Sequence, residues 1–359
     1  MYFILSSSCK AVKGEKRTLL SDYGRGEFYF ISNDYYHLLK DLQKHPFEKV
    51  KASILPESVE SFNEFLNFLL SKEMGFLHQN KKAFPRISEV FDEPGNVKDM
   101  IVEIDFTIGT IELFQKICAE IQEISCQNIQ LRLLSHFTIP ELATILEMLA
   151  KADVSYVEVH LSHNELVSDR QLDELVEQHA RLSRVFVYGC AESSRRNVFS
   201  KLNTENQLQF GQVFHLDYEF DDGQCCGIIN YEALSFNNVA VFNRLLARNG
   251  CLDKKIAIDR WGNIKNCPSM KESFGNVKEV SLVDIALNEG FRKYWSITKD
   301  QISVCKECEF RYCCSDCRAF RTTPDLYSKP LKCGYDPSTC KWDDQVSNYL
   351  KYVGQGFLQ

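Results

Sequence analysis

One run of the chain concentrates sulfur: Cys305-Lys-Glu-Cys308-Glu-Phe-Arg-Tyr-Cys313-Cys314-Ser-Asp-Cys317. Two pairs within it, Cys305/Cys308 and Cys314/Cys317, have the spacing Cys-x2-Cys, in which a tight turn aims both thiolates at one point. Four more cysteines flank the run, namely Cys251, Cys267, Cys333 and Cys340. At four thiolates per centre, this number of sulfurs predicts two metal centres.

The rest of the sequence bears on whether these cysteines bind metal or form disulfides. The 359-residue chain holds 15 cysteines and has a net charge of -7. Its first residues lack the basic start and long apolar stretch of a signal peptide, and no apolar run reaches the roughly 18 residues of a membrane helix. We therefore expect a cytoplasmic protein without membrane contact. In a reducing compartment, clustered cysteines favour metal ligation over a disulfide scaffold.

Residues 1–78 predict a small domain of strands followed by two helices. The predicted strands cover 2–5, 18–20, 28–31 and 76–77, and the helices begin at Ser32 and after Pro56. This order suggests a winged-helix-like fold. The segment carries ten Lys/Arg and ten Asp/Glu with no basic face evident, which disfavours DNA binding. A packing domain without a ligand and capture of an extended peptide at a strand edge both stay open.

Residues 79–99 are polar and predict a linker, and residues 100–222 then alternate between strands and helices. The predicted strands are 101–106, 129–134, 156–161, 185–188 and 213–216, and the helices are 110–125, 139–152 and 169–180. Such alternation predicts parallel βαβ units. About five units fit an open, partial barrel better than a closed eightfold one.

Function in such a fold is expected at the carboxyl ends of the strands. The polar residues predicted there are Asp105, Ser135, His136, His160, Ser162 and His163. We find no glycine-rich phosphate loop and no nucleophile with a matching base, and we interpret His160 and His163 as polar loop histidines. The isolated cysteines are interpreted as small apolar fillers, namely Cys9, Cys118, Cys126 and Cys190.

The cysteine-rich third of the chain has a recognisable pattern. Cys251 and Cys267 flank a predicted hairpin with its turn at 259–263, and Gly262 lies five residues before Cys267. The resulting pattern, C…G-x4-C…C-x2-C-x5-C…C, resembles the SPASM domain of radical S-adenosylmethionine (SAM) peptide-modifying enzymes. Four segments make it similar to the SPASM-domain peptide maturase of grasp-with-spasm systems: Asn266-Cys-Pro-Ser-Met270, Cys308-Glu-Phe-Arg-Tyr312, Asp316-Cys-Arg-Ala-Phe320 and Lys329-Pro-Leu-Lys-Cys-Gly-Tyr335.

This resemblance implies an architecture and partners. Residues 1–78 would be a winged-helix leader-recognition element, 79–99 a linker, 100–222 a partial radical-SAM-like βα barrel, 223–345 a SPASM iron–sulfur domain and 346–359 a tail. The family is associated with a ribosomally made precursor peptide and an ATP-grasp peptide ligase, as in graspetide maturation. No nucleic-acid partner is implied.

The resemblance also implies two [4Fe–4S] clusters. One would be held by Cys305, Cys308, Cys314 and Cys333, and the other by Cys251, Cys267, Cys317 and a fourth ligand. Cys226 is favoured for that position, with Cys313 and Cys340 as alternatives, although Cys313 is expected to pack because it adjoins Cys314. Cys340 is also an alternative to Cys333. Four-thiolate Zn²⁺ sites are the alternative to iron.

Two departures from the family pattern affect function. The stretch that should carry C-x3-C-x2-C, the motif that holds the SAM-cleaving cluster, is Asp105-Phe-Thr-Ile-Gly-Thr-Ile-Glu112 and has no cysteine. Cys314 and Cys317 are separated by two residues where three are usual. We therefore expect no SAM cleavage and predict a leader-binding component that acts with the ligase. The alternatives are a redox or Lewis-acid enzyme that uses its auxiliary clusters and a metal-stabilised DNA-binding regulator.

Overall fold

The computed structural model describes residues 1–84, 86–108, 110–199, 210–220, 226, 228–236 and 238–343, which fold as two compact units. The first unit comprises Met1–Asp92, Ile228–Gly250 and the described part of Ile297–Lys351. The second comprises the described parts of Glu93–Gly227 and Cys251–Ser296. The domain boundaries given above stay predictions. Residues 223–345 are shared between the two units, and the predicted tail lies outside the described residues.

The described chain contains strands and α-helices with the following bounds. The strands are β1 (Tyr2–Leu5), β2 (Cys9–Lys13), β3 (Arg17–Asp22), β4 (Glu27–Ser32), β5 (Gly75–His78), β6 (Asp99–Ile104), β7 (Asn128–Leu133), β8 (Tyr156–Ser162), β9 (Leu182–Tyr188), β10 (Ser194–Phe199), β11 (Phe210–Leu216), β12 (Lys255–Ile258), β13 (Ile264–Lys265), β14 (Tyr335–Asp336) and β15 (Lys341–Trp342). The helices are α1 (Asn33–Lys44), α2 (Phe47–Ala52), α3 (Val59–Ser71), α4 (Thr110–Ile121), α5 (Ile139–Lys151), α6 (Asp169–Gln178), α7 (Val239–Ala247), α8 (Leu282–Leu287) and α9 (Glu289–Arg292).

In the first unit, the amino-terminal module contains two small sheets. Strand β1 pairs antiparallel with β5, and β2, β3 and β4 form an antiparallel meander. Helix α1 begins where its sequence predicts, because the Ser32 hydroxyl caps it by accepting from the Tyr35 amide. Strand β2 and helix α2 were not predicted. The comparison with a winged-helix fold stays a prediction.

The carboxyl-terminal part of the first unit has little regular structure and is held by buried polar contacts. The Glu309 carboxylate, 1% exposed at its side chain, accepts from the Arg17 guanidinium at 2.7 Å and from the Tyr335 hydroxyl at 2.5 Å. Gly14 permits a close approach here, since a Cβ on it would lie 2.9 Å from the Glu309 amide nitrogen. These contacts join the cysteine-rich run to strand β3.

The second unit is built on an eight-stranded sheet in the order β10-β11-β9-β8-β7-β6-β12-β13. The six strands from β11 to β12 are parallel, and antiparallel strands close both ends. The prediction of an α/β fold with parallel βα units is confirmed. Five of the six parallel strands were predicted in place, whereas the addition of β12 beside β6 was not.

Helices between the parallel strands follow from clear sequence signals. Helix α5 begins with a capping box in which Thr138 and Glu141 bond reciprocally, and α6 begins with the same arrangement at Ser168 and Gln171. Their apolar faces pack on the sheet in one continuous core. Strand β6 is buried along nearly its whole length, as expected for a parallel strand covered on both faces.

The hairpin predicted between Cys251 and Cys267 is present in the second unit as β12 and β13. Its turn contains Gly262 with φ +86°, a conformation that favours glycine. The Asp259 carboxylate accepts from Lys265 at 2.9 Å and holds the turn. In the part of the chain that the structure describes, no helix combines the length and apolar character needed to cross a membrane.

Candidate functional site: thiol clusters and an open strand edge

Four thiols lie close together in the first unit: Cys305, Cys308, Cys314 and Cys333. The pKa of the Cys314 thiol is raised to about 12, chiefly by burial and also by repulsion from Cys333 and Cys305, against the lowering effect of Lys299. Burial also raises the pKa of Cys308, and Cys314 and Cys305 add to the rise. The four residues predicted as one ligand set are therefore electrostatic neighbours.

A buried lysine accompanies this cluster. Lys299 is 5% exposed and pairs with the Asp316 carboxylate at 3.2 Å. Burial alone would lower the pKa of Lys299, but Cys314 and Asp316 raise it above its usual value. The Asp316 carboxylate also accepts from Arg318 at 2.9 Å and from the Asn249 side chain at 2.8 Å. This carboxylate thus holds two cations in the interior beside the thiols.

A second group of thiols lies in the second unit: Cys226, Cys251 and Cys267. The pKa of Cys267 is raised to about 11, chiefly by burial and also by the neighbouring Cys226 and Cys251. The Lys255 ammonium lies 3.8 Å from the Cys251 sulfur, and the Arg132 guanidinium lies 3.4 Å from the Cys226 sulfur. Three of the four residues predicted for the other ligand set are therefore neighbours.

The remaining cysteines of the prediction are placed as follows. Cys317 belongs to the first unit, so its part in a set with Cys267 stays a prediction. Cys313 is 2% exposed, its thiol contacts the Phe310 carbonyl at 3.2 Å, and it packs among apolar residues, as expected. The Cys340 thiol contacts the Pro337 carbonyl of its own turn at 3.8 Å. Cys225 lies outside the described residues.

The thiol clusters supply donor chemistry suited to iron or zinc, but the structure does not form a metal site from them. Among the residues that it describes, no group of three or more His, Cys, Asp or Glu is arranged to hold a metal ion. The described thiols are therefore neighbours that are not at ligand geometry in this structure, and no chemical step is derived through a metal.

The carboxyl end of β6 is the position at which the SAM-cluster cysteines were sought. Here the Asp105 carboxylate accepts from the Thr107 hydroxyl at 2.6 Å and from the Thr107 amide at 3.0 Å. The Arg260 guanidinium lies 3.6 Å from the same carboxylate, and the Ser135 hydroxyl accepts from the Phe106 amide at 2.9 Å. These side chains bond to one another and offer iron no thiolate.

His160 does not lie in a loop, so that interpretation was wrong. It lies in strand β8, is 4% exposed, and hydrogen-bonds to the Tyr188 hydroxyl and the Glu158 carboxylate, each at 2.7 Å. Its ring also stacks on Phe186. Residues of β8 alternate between the two faces of the sheet, and this polar network occupies one of those faces. His163 follows β8 and lines a cavity described next.

A cavity of about 610 Å³ lies at the carboxyl ends of β8 and β9. One wall carries a hydrogen-bonded chain that the sequence did not reveal. The Ser194 hydroxyl is 3.2 Å from His215 Nδ1, and His215 Nε2 is 3.0 Å from the Asp169 carboxylate. Asp169 is 65% exposed and also pairs with Arg196 at 3.0 Å, so water and a guanidinium compete for it. We interpret the chain as a cross-strand contact of β10 and β11.

The amino-terminal module offers an open strand edge. In the described part of the chain, β5 is the sole strand neighbour of β1. The Ser6 amide donates to the Met74 carbonyl at 2.8 Å, and Ile4 stands opposite Phe76. Because successive residues of an antiparallel strand direct their backbone groups to opposite sides, those of Phe3 and Leu5 point away from β5. They form an edge to which another strand could be added.

The comparisons with known proteins give little beyond these observations. No protein-family model matches the chain, and no curated protein matches it. One similar solved structure is SuiB of Streptococcus suis bound to S-adenosylmethionine, at 11% sequence identity and a TM-score of 0.39 over 94% of this chain and 100% of that chain. A likeness at this level assigns neither a family nor an activity, so function is argued from the residues.

Proposed function

We propose that this chain is a non-catalytic component of ribosomal peptide maturation. It binds the leader segment of a precursor peptide through residues 1–78 and presents that peptide to an ATP-grasp ligase, without cleaving SAM. The sequence resemblance to grasp-with-spasm maturases supports the pathway and the two partners. The hydrogen-bonded side chains that replace thiolates after β6 support binding over SAM chemistry.

The observation that carries this proposal is the open edge of β1. A peptide in extended conformation can continue a sheet by bonding to unpaired backbone groups, and pockets for alternate side chains then give specificity. The edge strand β4 is less suited. Phe28 and Phe30 of β4 pack against aromatic rings of the same unit, Phe28 on Phe236 and Phe30 on Phe310.

The proposal is tested by co-expression. A cell that makes the chain, the ligase and the short peptide encoded beside them should yield peptide that has lost one water for each ester or amide bond, as measured by mass spectrometry. Omitting the chain should reduce the modified fraction at least about tenfold, which is equivalent to losing about 1.4 kcal/mol of peptide-binding free energy. Equal modification with and without the chain would refute a role in presentation.

We further propose that the two thiol groups hold [4Fe–4S] clusters, with Zn²⁺ as the alternative, in a chiefly structural role. Structural metals contribute directly to folding free energy, and the observed arrangement would have to close around the metal as it binds. Anaerobic protein should contain about eight irons and matching sulfide per chain. One or two zincs per chain without iron would replace the iron assignment with zinc. Protein that contains neither metal would refute the proposal of metal sites.

A substitution pair sharpens the metal test. Cys308→Ala should lower the iron content by about half, since one cluster of two would lose a ligand, and should lower the melting temperature with it. Cys118→Ala is the control, because this cysteine packs against the apolar core of the second unit and is not assigned as a ligand. Equal metal content in the two variants would contradict the assignment of Cys308 as a ligand.

One observation favours a second function, a redox or Lewis-acid enzyme. Three thiols, those of Cys226, Cys251 and Cys267, are neighbours within the second unit. A metal with three protein ligands keeps an open position, as catalytic metal sites do. Iron-loaded protein that shifts its spectrum when an exogenous thiol or imidazole is added would support this function, and an unresponsive spectrum would exclude it.

A further inference from the structure

The edge of β1 borders a cavity of about 560 Å³, which we call the β1 groove. Among the described residues that line it are five consecutive ones of β1 and its end, 3–7, whereas β5 contributes only Phe76. The groove is therefore lined mainly by β1, the strand on which the backbone groups of Phe3 and Leu5 point away from β5.

The far wall of the groove is basic. Lys81, Lys82 and Arg86 line it, and all three are exposed. The Lys81 ammonium donates to the Gln43 backbone carbonyl, and the Arg86 guanidinium donates to the Gln43 side-chain oxygen at 2.9 Å. Both acceptors are neutral, and no ion pair joins these three cations to a carboxylate within the described residues. Their charge is thus available to an incoming anion.

The basic character continues into a neighbouring cavity of about 250 Å³, which shares Leu5, Ser6 and Arg86 with the groove. Together the two cavities are lined by seven Lys or Arg side chains and one carboxylate, that of Glu89. Glu89 is engaged with Lys10 at 2.8 Å. Three of these seven cations belong to residues 1–78, and the other four are Lys81, Lys82, Arg86 and Arg311. The basic surface is therefore formed jointly with residues that a charge count of 1–78 leaves out.

Apolar surface accompanies the charge. The Phe84 ring packs edge-on against Phe76 with centroids 4.8 Å apart, and both rings line the groove with Ile4. A strand added to β1 would point alternate side chains toward and away from such a surface. Acidic side chains on the groove side would reach the Lys and Arg residues, with their CH2 groups against the rings. The apolar side chains between them would point to the opposite face of the sheet.

We infer that the β1 groove binds an acidic segment in extended conformation, added antiparallel or parallel to the edge of β1, in which carboxylates alternate with apolar residues. This inference rests on the proposed function and names the class of peptide and the surface that would take it. Charge complementarity identifies the partner as an anion, and the open backbone edge favours a peptide over a nucleic acid, which cannot continue a sheet.

The test uses the full chain and defined probes in a fluorescence anisotropy titration. The main probe is a fluorescein-labelled twelve-residue peptide in which glutamate alternates with valine. A peptide with lysine in place of glutamate reverses the charge. A version of the glutamate peptide that is N-methylated at alternate residues blocks strand addition. A twelve-nucleotide single-stranded DNA tests the nucleic-acid alternative. We expect only the glutamate peptide to bind tightly, and weaker at high salt.

Two variants with equal charge changes locate the site. Lys82→Glu combined with Arg86→Glu should weaken binding at least about tenfold, because two attractive charges become repulsive. Lys49→Glu combined with Lys51→Glu is the control, since these exposed residues of α2 line neither cavity. Equal loss in both pairs, tighter binding of DNA, or no effect of N-methylation would overturn the inference.

The same variants separate this inference from the proposed function. In the co-expression assay, modification that needs the chain but is unaffected by Lys82→Glu and Arg86→Glu would overturn the groove as the leader site and leave presentation intact. Modification that does not need the chain would overturn the proposed function itself. We expect the groove variant to behave like omission of the chain.

Discussion

Charged side chains line both the β1 groove and the carboxyl end of β6. At the end of β6 a carboxylate faces a guanidinium, whereas the described cations of the groove have no carboxylate partner. Asp105 after β6 is held by Thr107 and lies beside Arg260 in the second unit. In the groove, Lys81 and Arg86 donate to neutral groups of Gln43, and among the described residues no carboxylate pairs with them. Internal pairing marks a structural region, whereas charge without a counter-charge marks a surface for a partner. The predictions below test this distinction.

The largest loss of unfolding free energy is expected from breaking the most deeply buried ion pairs. Asp316→Ala would leave Lys299 and Arg318 buried without their carboxylate, which should cost about 3–5 kcal/mol of unfolding free energy. Urea denaturation measures it. Asp300→Ala is the matched control, since Asp300 is 45% exposed and its pair with Arg311 should contribute less than about 1 kcal/mol. Equal losses of unfolding free energy in the two variants would contradict the burial of the Asp316 ion pairs as the cause of the loss.

A smaller loss is expected at the contact that joins β3 to the cysteine-rich run. Glu309→Gln keeps the shape but removes the charge that Arg17 and Tyr335 contact, and should cost about 1–3 kcal/mol. Thermal unfolding followed by circular dichroism measures it. The exposed Glu307→Gln nearby is the control, and a melting temperature equal to that of the control would show that the Glu309 contacts are not stabilising.

Acidification should weaken the carboxyl end of β6. The Thr107 hydroxyl lowers the pKa of Asp105 below its usual value, burial opposes this, and Arg260 adds to the lowering. Because the folded pKa lies below the unfolded one, this stabilisation is present above about pH 4 and is lost as the pH falls through the folded pKa. Between pH 7 and pH 3, the unfolding free energy of Asp105→Asn should therefore fall less than that of wild type. For the surface control Asp153→Asn, it should fall as much as for wild type.

The smallest effect on stability is expected in the groove. Lys82→Glu with Arg86→Glu should change the unfolding free energy by less than about 0.5 kcal/mol, because exposed residues without such roles contribute little. The same double variant should lose peptide binding. A loss of several kcal/mol would show that these cations have a structural role, and the contrast with the region after β6 would then disappear.

Sequence reasoning predicted what periodicity and capping determine. The strands from β6 to β9 and helix α5 lie where the alternation of strands and helices predicts them, and helix α1 begins after its predicted cap, Ser32. The thiols of Cys305 and Cys308 are neighbours because their spacing is local. Contacts between distant segments could not be predicted in this way. Examples are the pairing of β12 with β6 and the hydrogen bond between the Ser194 and His215 side chains.

The groove shows most clearly why such surfaces escape sequence analysis. Residues 81–86 were assigned to a polar linker, so the charge count of 1–78 did not include the cations of the groove. Charge balance is a sum, whereas a surface depends on which residues fold to the same side. Only the placement of Lys82 and Arg86 across from Leu5 reveals the groove.

The most direct measurement of the central claim is residue-resolved hydrogen exchange with and without the glutamate–valine peptide. Strand addition predicts that the outward amides of Phe3 and Leu5 exchange more slowly when the peptide is bound. The amide of Ile4, which already faces β5 across from Phe76, should not change. Unchanged exchange at Phe3 and Leu5 under saturating peptide, with protection elsewhere in the chain, would contradict binding at this edge.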